Sequence, residues 1–194
     1  MTGNAPRFSR LSQEQLTESQ KPVVARLAKS VRNGLGGPFD IMLRSPDMAQ
    51  GMVELFEYYR FRSKLPARLK ELAILMLARA WTAQFEWFAH RQAAKDAGLA
   101  DAVIADLRLG KRPAAMAGDE TVIYDFATAL IRDHEVSDPV FARARDLLGD
   151  EQLVDLITLI GEYMKVALVL NVGRIGVPEG NELPLPPLSP GALP

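Results

Sequence analysis

The sequence predicts an all-α fold, and three observations predict it. Apolar residues recur at three- and four-residue intervals through most of the chain, the spacing of helices with a buried face. Proline and glycine fall where such segments start and stop. No stretch of useful length alternates apolar and polar residues as a half-buried strand does. With 194 residues, 48% hydrophobic and 24% charged, the chain is long enough to bury a sizeable core as one ordinary domain.

Taken in order, residues 1–16 are polar and read as an N-terminal arm, residues 17–178 as the helical domain and residues 179–194 as a proline-rich tail. Thr17 and Gln20 have capping-box spacing and Pro22 is tolerated in a first turn, so a helix is expected to about Val31, ending at Asn33-Gly34. Gly34-Leu35-Gly36-Gly37-Pro38 opposes helix and strand alike and reads as a loop. Ser45-Pro46 reads as N-cap and first residue of a helix carrying Met48, Met52, Leu55, Phe56 and Tyr59. Pro66 opens a third helix to about Trp81, and a fourth runs from Ala83 to Ala97, with Gly98 as its left-handed C-cap. Further helical patterns cover residues 100–107, 119–132, 139–148 and 150–172. The tail from Gly180 holds five prolines and is expected to be extended, available to lie across a neighbouring subunit.

The chain contains no cysteine, which excludes disulfide scaffolds, Cys-ligated zinc, iron–sulfur clusters and thiol nucleophiles. A formal net charge of −1 gives no general drive toward nucleic acid or anionic lipid. No apolar run approaches the roughly 20 residues of a membrane span, and residues 1–10 lack the apolar centre of a secretory signal. The expected place is the cytoplasm, with neither membrane nor nucleic acid as partner.

The informative stretch runs from Arg68 to His90. At about 100° per residue, the fourth helix sets Gln84, Arg91 and Lys95 on one side. Glu86 and His90 then lie opposite, beside Ala83, Ala93 and Ala97. On the preceding helix Glu71 shares a side with Ile74, Leu75 and Ala78. Two inward carboxylates and a histidine suit proton transfer, because burial and like charge favour a protonated carboxyl at neutral pH. The same residues also fit a helix-surface Glu–His pair, or a buried glutamate meeting an arginine such as Arg68 or Arg79. A shared metal ion is a third reading, poor in histidine, since only His134 remains and it suits a helix end. No G-x-S-x-G elbow occurs, and the glycines at 34–37 follow no strand, so neither serine hydrolysis nor a dinucleotide loop is indicated.

At these residues the sequence resembles the carboxymuconolactone decarboxylase family, within the wider alkylhydroperoxidase-D-like superfamily. Its redox branch carries a glutamate, two cysteines separated by two residues, and a histidine four places on. Those positions fall here on Glu71, Ala83, Glu86 and His90, so both thiols are replaced. The decarboxylase-like branch is matched by Lys70-Glu71-Leu72, by Glu86-Trp87-Phe88-Ala89-His90 and by Ala97-Gly98-Leu99, with lysine where the branch shows arginine before Glu71. Gly37-Pro38-Phe39, Ser45-Pro46, and Gly161-Glu162-Tyr163 with Asn171 extend the likeness over residues 17–178.

The resemblance implies an alkylhydroperoxidase-D-like helical bundle, assembled as a homotrimer or hexamer. It also implies a lyase without cofactor or metal, acting on a small carboxylated lactone or another intermediate of aromatic catabolism. His90 is then the general acid, Glu86 orients or reprotonates it, and Glu71 supports it or carries the alternate proton. Trp87 and Tyr163 would line the substrate pocket, and a substrate carboxylate would need a cation from among Arg10, Arg32, Arg44, Arg60 and Arg62. A binding or scaffold protein that kept the fold and lost the reaction is the alternative. Thiol peroxidase chemistry conflicts with the composition, since it needs one thiolate to attack peroxide and a second thiol to resolve the product.

Overall fold

The structure is a computed structural model that describes residues 5–30 and 35–188. Arg32 and the expected stop at Val31 to Gly34 lie outside the described residues. Every regular element is helical, and there is no strand among the described residues. The described chain divides into two compact units, residues 5–30 and 35–63 with 169–176, and residues 64–168 with 177–188.

In the first unit, a 3-10 turn (Gln13–Gln15) precedes α1 (Lys21–Leu27), α2 (Phe39–Met42) and α3 (Pro46–Phe61). Only half of the expected Thr17–Gln20 box forms. The Gln20 side chain accepts from the Thr17 N–H at 2.9 Å, while the Thr17 hydroxyl pairs with Ser19. Gln20 is buried and its amide also donates to the Leu43 carbonyl at 2.8 Å, so this residue ties the start of α1 to the end of α2. The buried stripe of α3 is Ala49, Met52, Val53 and Tyr59, whereas Met48 and Leu55 sit on its flank and are exposed. Arg26 forks onto Glu57, closest at 2.7 Å, and Phe39 meets Phe56 edge-on at 5.9 Å; each joins a short helix to α3. The arm is fixed at Arg7, whose N–H donates to the Gly173 carbonyl at 2.9 Å and whose guanidinium donates to the Val172 carbonyl at 3.1 Å.

Gly173 packs so closely that a β-carbon there would lie 2.0 Å from Ile41 Cδ1. Because that atom is the end of a side chain that can turn aside, Gly173→Ala is expected to cost about 1–3 kcal/mol, not to abolish folding. Urea unfolding of the single variant and of Gly173→Ala with Ile41→Val checks this. The second change removes Cδ1, so the pair should be more stable than the two separate losses added together; simple additivity would show that the close approach is not the cause.

The second unit is built around α4 (Ala67–Ala80), which packs on α5 (Gln84–Asp96), α6 (Asp101–Arg108) and α7 (Gly118–Thr128). Residues 72–79 of α4 are all buried, which accounts for the nearly unbroken apolar run there. α4 and α5 end alike. In each, the N–H groups of the two residues after the C-cap turn back to carbonyls of the last turn: Thr82 to Arg79 and Ala83 to Ala78, then Gly98 to Lys95 and Leu99 to Ala94. Gly98 adopts the expected left-handed conformation (φ 93°), while Thr82 takes the same role at φ 48°, a costly region for a β-branched residue.

The pattern expected as one helix to Arg132 is α7 followed by a wider π turn (Ala129–Asp133), closed by His134 at φ 59°. α8 (Asp138–Gly173) is broken at Gly149 (φ 69°, ψ 174°), where the sequence separates two helical patterns. In the tail, residues 184–186 lie against α4, α5 and α6 of their own chain.

Candidate functional site

α4 carries Glu71, α5 carries Glu86, Trp87 and His90, and α8 carries Tyr163, all in the second unit. Glu71 lies in the second turn of α4 and faces α5. Its Oε2 sits 2.8 Å from His90 Nδ1, with side chains 13% and 21% exposed respectively. With the proton on Nδ1 the carboxylate accepts it, the tautomer is fixed, and Nε2 carries the lone pair. The Tyr163 ring meets the imidazole edge-on, centroids 5.0 Å apart at 88°, and so limits its rotation from the other side.

Glu86 lies one turn before His90 on the same helix, in a different environment. It is 2% exposed, and neither carboxyl oxygen has a hydrogen-bond partner. Burial alone drives its pKa well above the ordinary carboxylate range, because an ion there would be taken out of water without compensation. The neighbouring Trp87 is fully buried, and its indole N–H also lacks a partner. Ala83, at the start of the same face, is fully buried too.

The buried stripe of α5 is centred on Ala83, Trp87 and Ala94, one position round from the expected line through Ala93 and Ala97. Ala93 is exposed, and Gln84 is not a solvated polar residue but a partner of the tail. Neither arginine weighed as a carboxylate partner meets Glu71 or Glu86. Arg68 pairs with Asp119 at 2.6 Å and with Glu120, and Arg79 donates to carbonyl oxygens. Of the arginines proposed for a substrate carboxylate, Arg10, Arg44, Arg60 and Arg62 are exposed residues of the first unit. Arg44 donates to the Ser9 carbonyl at 2.7 Å, and Arg60 and Arg62 lie over the rings of Phe56 and Tyr58. Among the described residues no three His, Asp or Glu side chains converge as a metal set. No helix among them is long and apolar enough to cross a membrane.

Residues 46–129 match the model of the carboxymuconolactone decarboxylase family. Over these 84 of its 194 residues the chain is similar to that family. Comparison with curated proteins and with solved structures gave no match. The matched segment holds Glu71, Glu86, Trp87 and His90 and stops short of Tyr163, so the histidine, both carboxyls and the indole lie within the stretch that is similar to the family. Arg79 was not singled out for a site by the sequence pattern, although a guanidinium inside the apolar run Ile74-Leu75-Met76-Leu77-Ala78-Arg79 is itself a signal.

Chemically, the arrangement offers two kinds of proton-transfer group four residues apart on one helix. One is a histidine held by a carboxylate; the other is a buried, unpartnered carboxyl whose pKa is raised by burial.

Proposed function

We propose that the chain is a cofactor-free lyase acting by proton transfer on a small carboxylated lactone or a related intermediate of aromatic catabolism. The observation that carries this reading is the pairing of His90 with Glu71 one helical turn from the dry, unpartnered Glu86. In such a reaction the bond from carbon to the departing carboxylate breaks and carbon dioxide leaves. Its electron pair passes into the conjugated system as a dienolate, which takes one proton at the distal carbon. A buried carboxylic acid is suited to give that proton in a dry site, and His90 is suited to return one to it from solvent. Glu71 orients the imidazole and stabilises the imidazolium as it forms. The likeness of residues 46–129 to the family supports the chemistry at this coarse level.

The alkylhydroperoxidase-D-like arrangement, a trimer or hexamer, and a cytoplasmic place belong to the same reading. The exposure of Val154, Ile157 and Leu168 along α8 supports association, since these residues leave an apolar face uncovered in the single chain.

The test is a series of unsaturated lactone carboxylates incubated in deuterium oxide and followed by proton NMR. The expected result is carbon dioxide release with one deuterium at the distal carbon, slowed on the order of 10²-fold or more in His90→Gln. Wild-type turnover in that variant overturns the assignment. Binding without conversion across the series would instead establish the scaffold alternative.

A further inference from the structure

Three side chains from α4, α5 and α6 hold the tail by its backbone. The Gln84 amide makes a two-point pair with Leu185, donating to its carbonyl and accepting from its N–H, both at 2.9 Å. Arg79 donates to the Pro186 carbonyl at 2.8 Å, and Arg108 donates to the Pro184 carbonyl at 2.6 Å. Three successive carbonyls are thus each given a donor. Leu185 is 3% exposed, whereas Leu183, two residues before it, is exposed.

The sequence of the segment suits this recognition. Pro184, Pro186 and Pro187 have no N–H, so the only amide donor in the stretch 184–187 is that of Leu185, and Gln84 takes it. The prolines also fix the extended backbone in advance, which lowers the entropy lost on docking, as for proline-rich ligands of aromatic-lined grooves.

Arg79 supplies a second, independent observation. It is fully buried yet meets no carboxylate: its remaining bonds go to the Arg108 carbonyl and the Thr82 hydroxyl, each at 3.2 Å, and its Nε is unpartnered. A buried cation answered only by neutral oxygens is costly unless those oxygens are held in place. The tail carbonyl is one of the three, so removing the tail leaves this charge undersolvated. Gln84 is also the first residue of α5, and Glu86 and Trp87 are its third and fourth. Between Arg79 and Gln84 lies the left-handed Thr82, a corner that needs holding.

We propose that Arg79, Gln84 and Arg108 form a recognition groove for an extended leucine flanked by prolines, that residues 184–186 of the same chain are its occupant, and that occupancy sets the first turn of α5. The tail is then an intramolecular ligand, separable from the helical domain and replaceable by a free peptide of the same sequence.

The test uses the chain ended at Leu183 and a synthetic peptide of residues 182–188. The two tryptophans, Trp81 and Trp87, flank the corner, so intrinsic fluorescence reports its state. Truncation is expected to shift the emission, and the peptide to restore it saturably; the peptide carrying Leu185→Asp should not. An unchanged emission on truncation, or a helical truncated chain that ignores the peptide, overturns the proposal. Should the truncated chain fail to fold, hydrogen exchange in full-length Gln84→Ala decides: at least tenfold faster exchange at the Leu185 amide is expected, and unchanged protection overturns it. The groove proposal does not rest on the proposed reaction. Adding Glu86→Gln to the truncated chain should leave peptide binding intact, so failure of the lyase reading does not imply failure here.

Discussion

Glu86→Gln is expected to stabilise the protein relative to wild type by a margin that widens as pH rises above about 4.5. The ordinary value for this carboxyl, which applies to the unfolded chain, is 4.5, and burial raises it well above that in the fold. Below 4.5 both states hold the proton, so this group gives no dependence on pH. Above it, the unfolded chain loses the proton while the folded chain keeps it, so folding must take a proton from solvent. Stability contributed by the neutral acid is therefore present below the unfolded value and lost as pH rises toward the folded one, at about 1.4 kcal/mol per pH unit. Glutamine is neutral throughout and nearly the same shape, so the variant lacks this slope. Its own unpaired amide adds an offset that does not vary with pH. Urea unfolding of both proteins between about pH 4 and 8 measures the difference, and other titrating groups cancel in it. Parallel curves would mean that Glu86 is not the dry acid the geometry describes.

That liability is what the sequence could not display. The wheel of α5 placed Glu86 and His90 on the inner side, and burial of Glu86 agrees with this. Whether an inward glutamate is paired, however, depends on side chains from other helices, which no local pattern encodes. The arginines that looked available are committed elsewhere: Arg68 to Asp119 and Glu120, Arg79 to the tail. Likewise His90 finds its carboxylate across the α4–α5 packing, nineteen residues back, and not at the i,i+4 position that the motif suggests.

Helix boundaries fared better where chemistry at the ends is local. Pro46, Gly98 and Gly149 mark breaks in the chain, each for a backbone reason legible in one or two residues. Thr82 does the work of Gly98 with the wrong residue type, and only the surrounding contacts explain how it is held. The tail's partner within its own chain is hidden from the sequence for a related reason. Proline-rich composition forecasts an extended segment, but its partner is set by a glutamine and two arginines that lie 76 to 107 residues away in sequence.

Glu71→Gln is expected to lower kcat for the lyase reaction by about 10²- to 10⁴-fold while leaving the fold in place. The amide oxygen can still accept from His90 Nδ1, so the 2.8 Å contact and the tautomer are retained. What is lost is the negative charge, and that charge acts most strongly when the imidazole is cationic, during proton transfer. An interaction that strengthens only in the transition state appears in kcat and leaves KM nearly unchanged. The cost to stability should stay within about 1 kcal/mol, since the pair is partly open to solvent and the apolar contacts of α4 are untouched. Steady-state kinetics by the deuterium assay, with urea unfolding as control, separates the cases. Equal losses in kcat and stability would make Glu71 a packing residue, and wild-type kcat would remove it from the mechanism. The sharper contrast is with Glu86→Gln, which should abolish the same activity while raising stability at neutral pH. Two carboxyls near one histidine would then move stability apart and activity together, because one is paired with the imidazole and the other is buried without a partner.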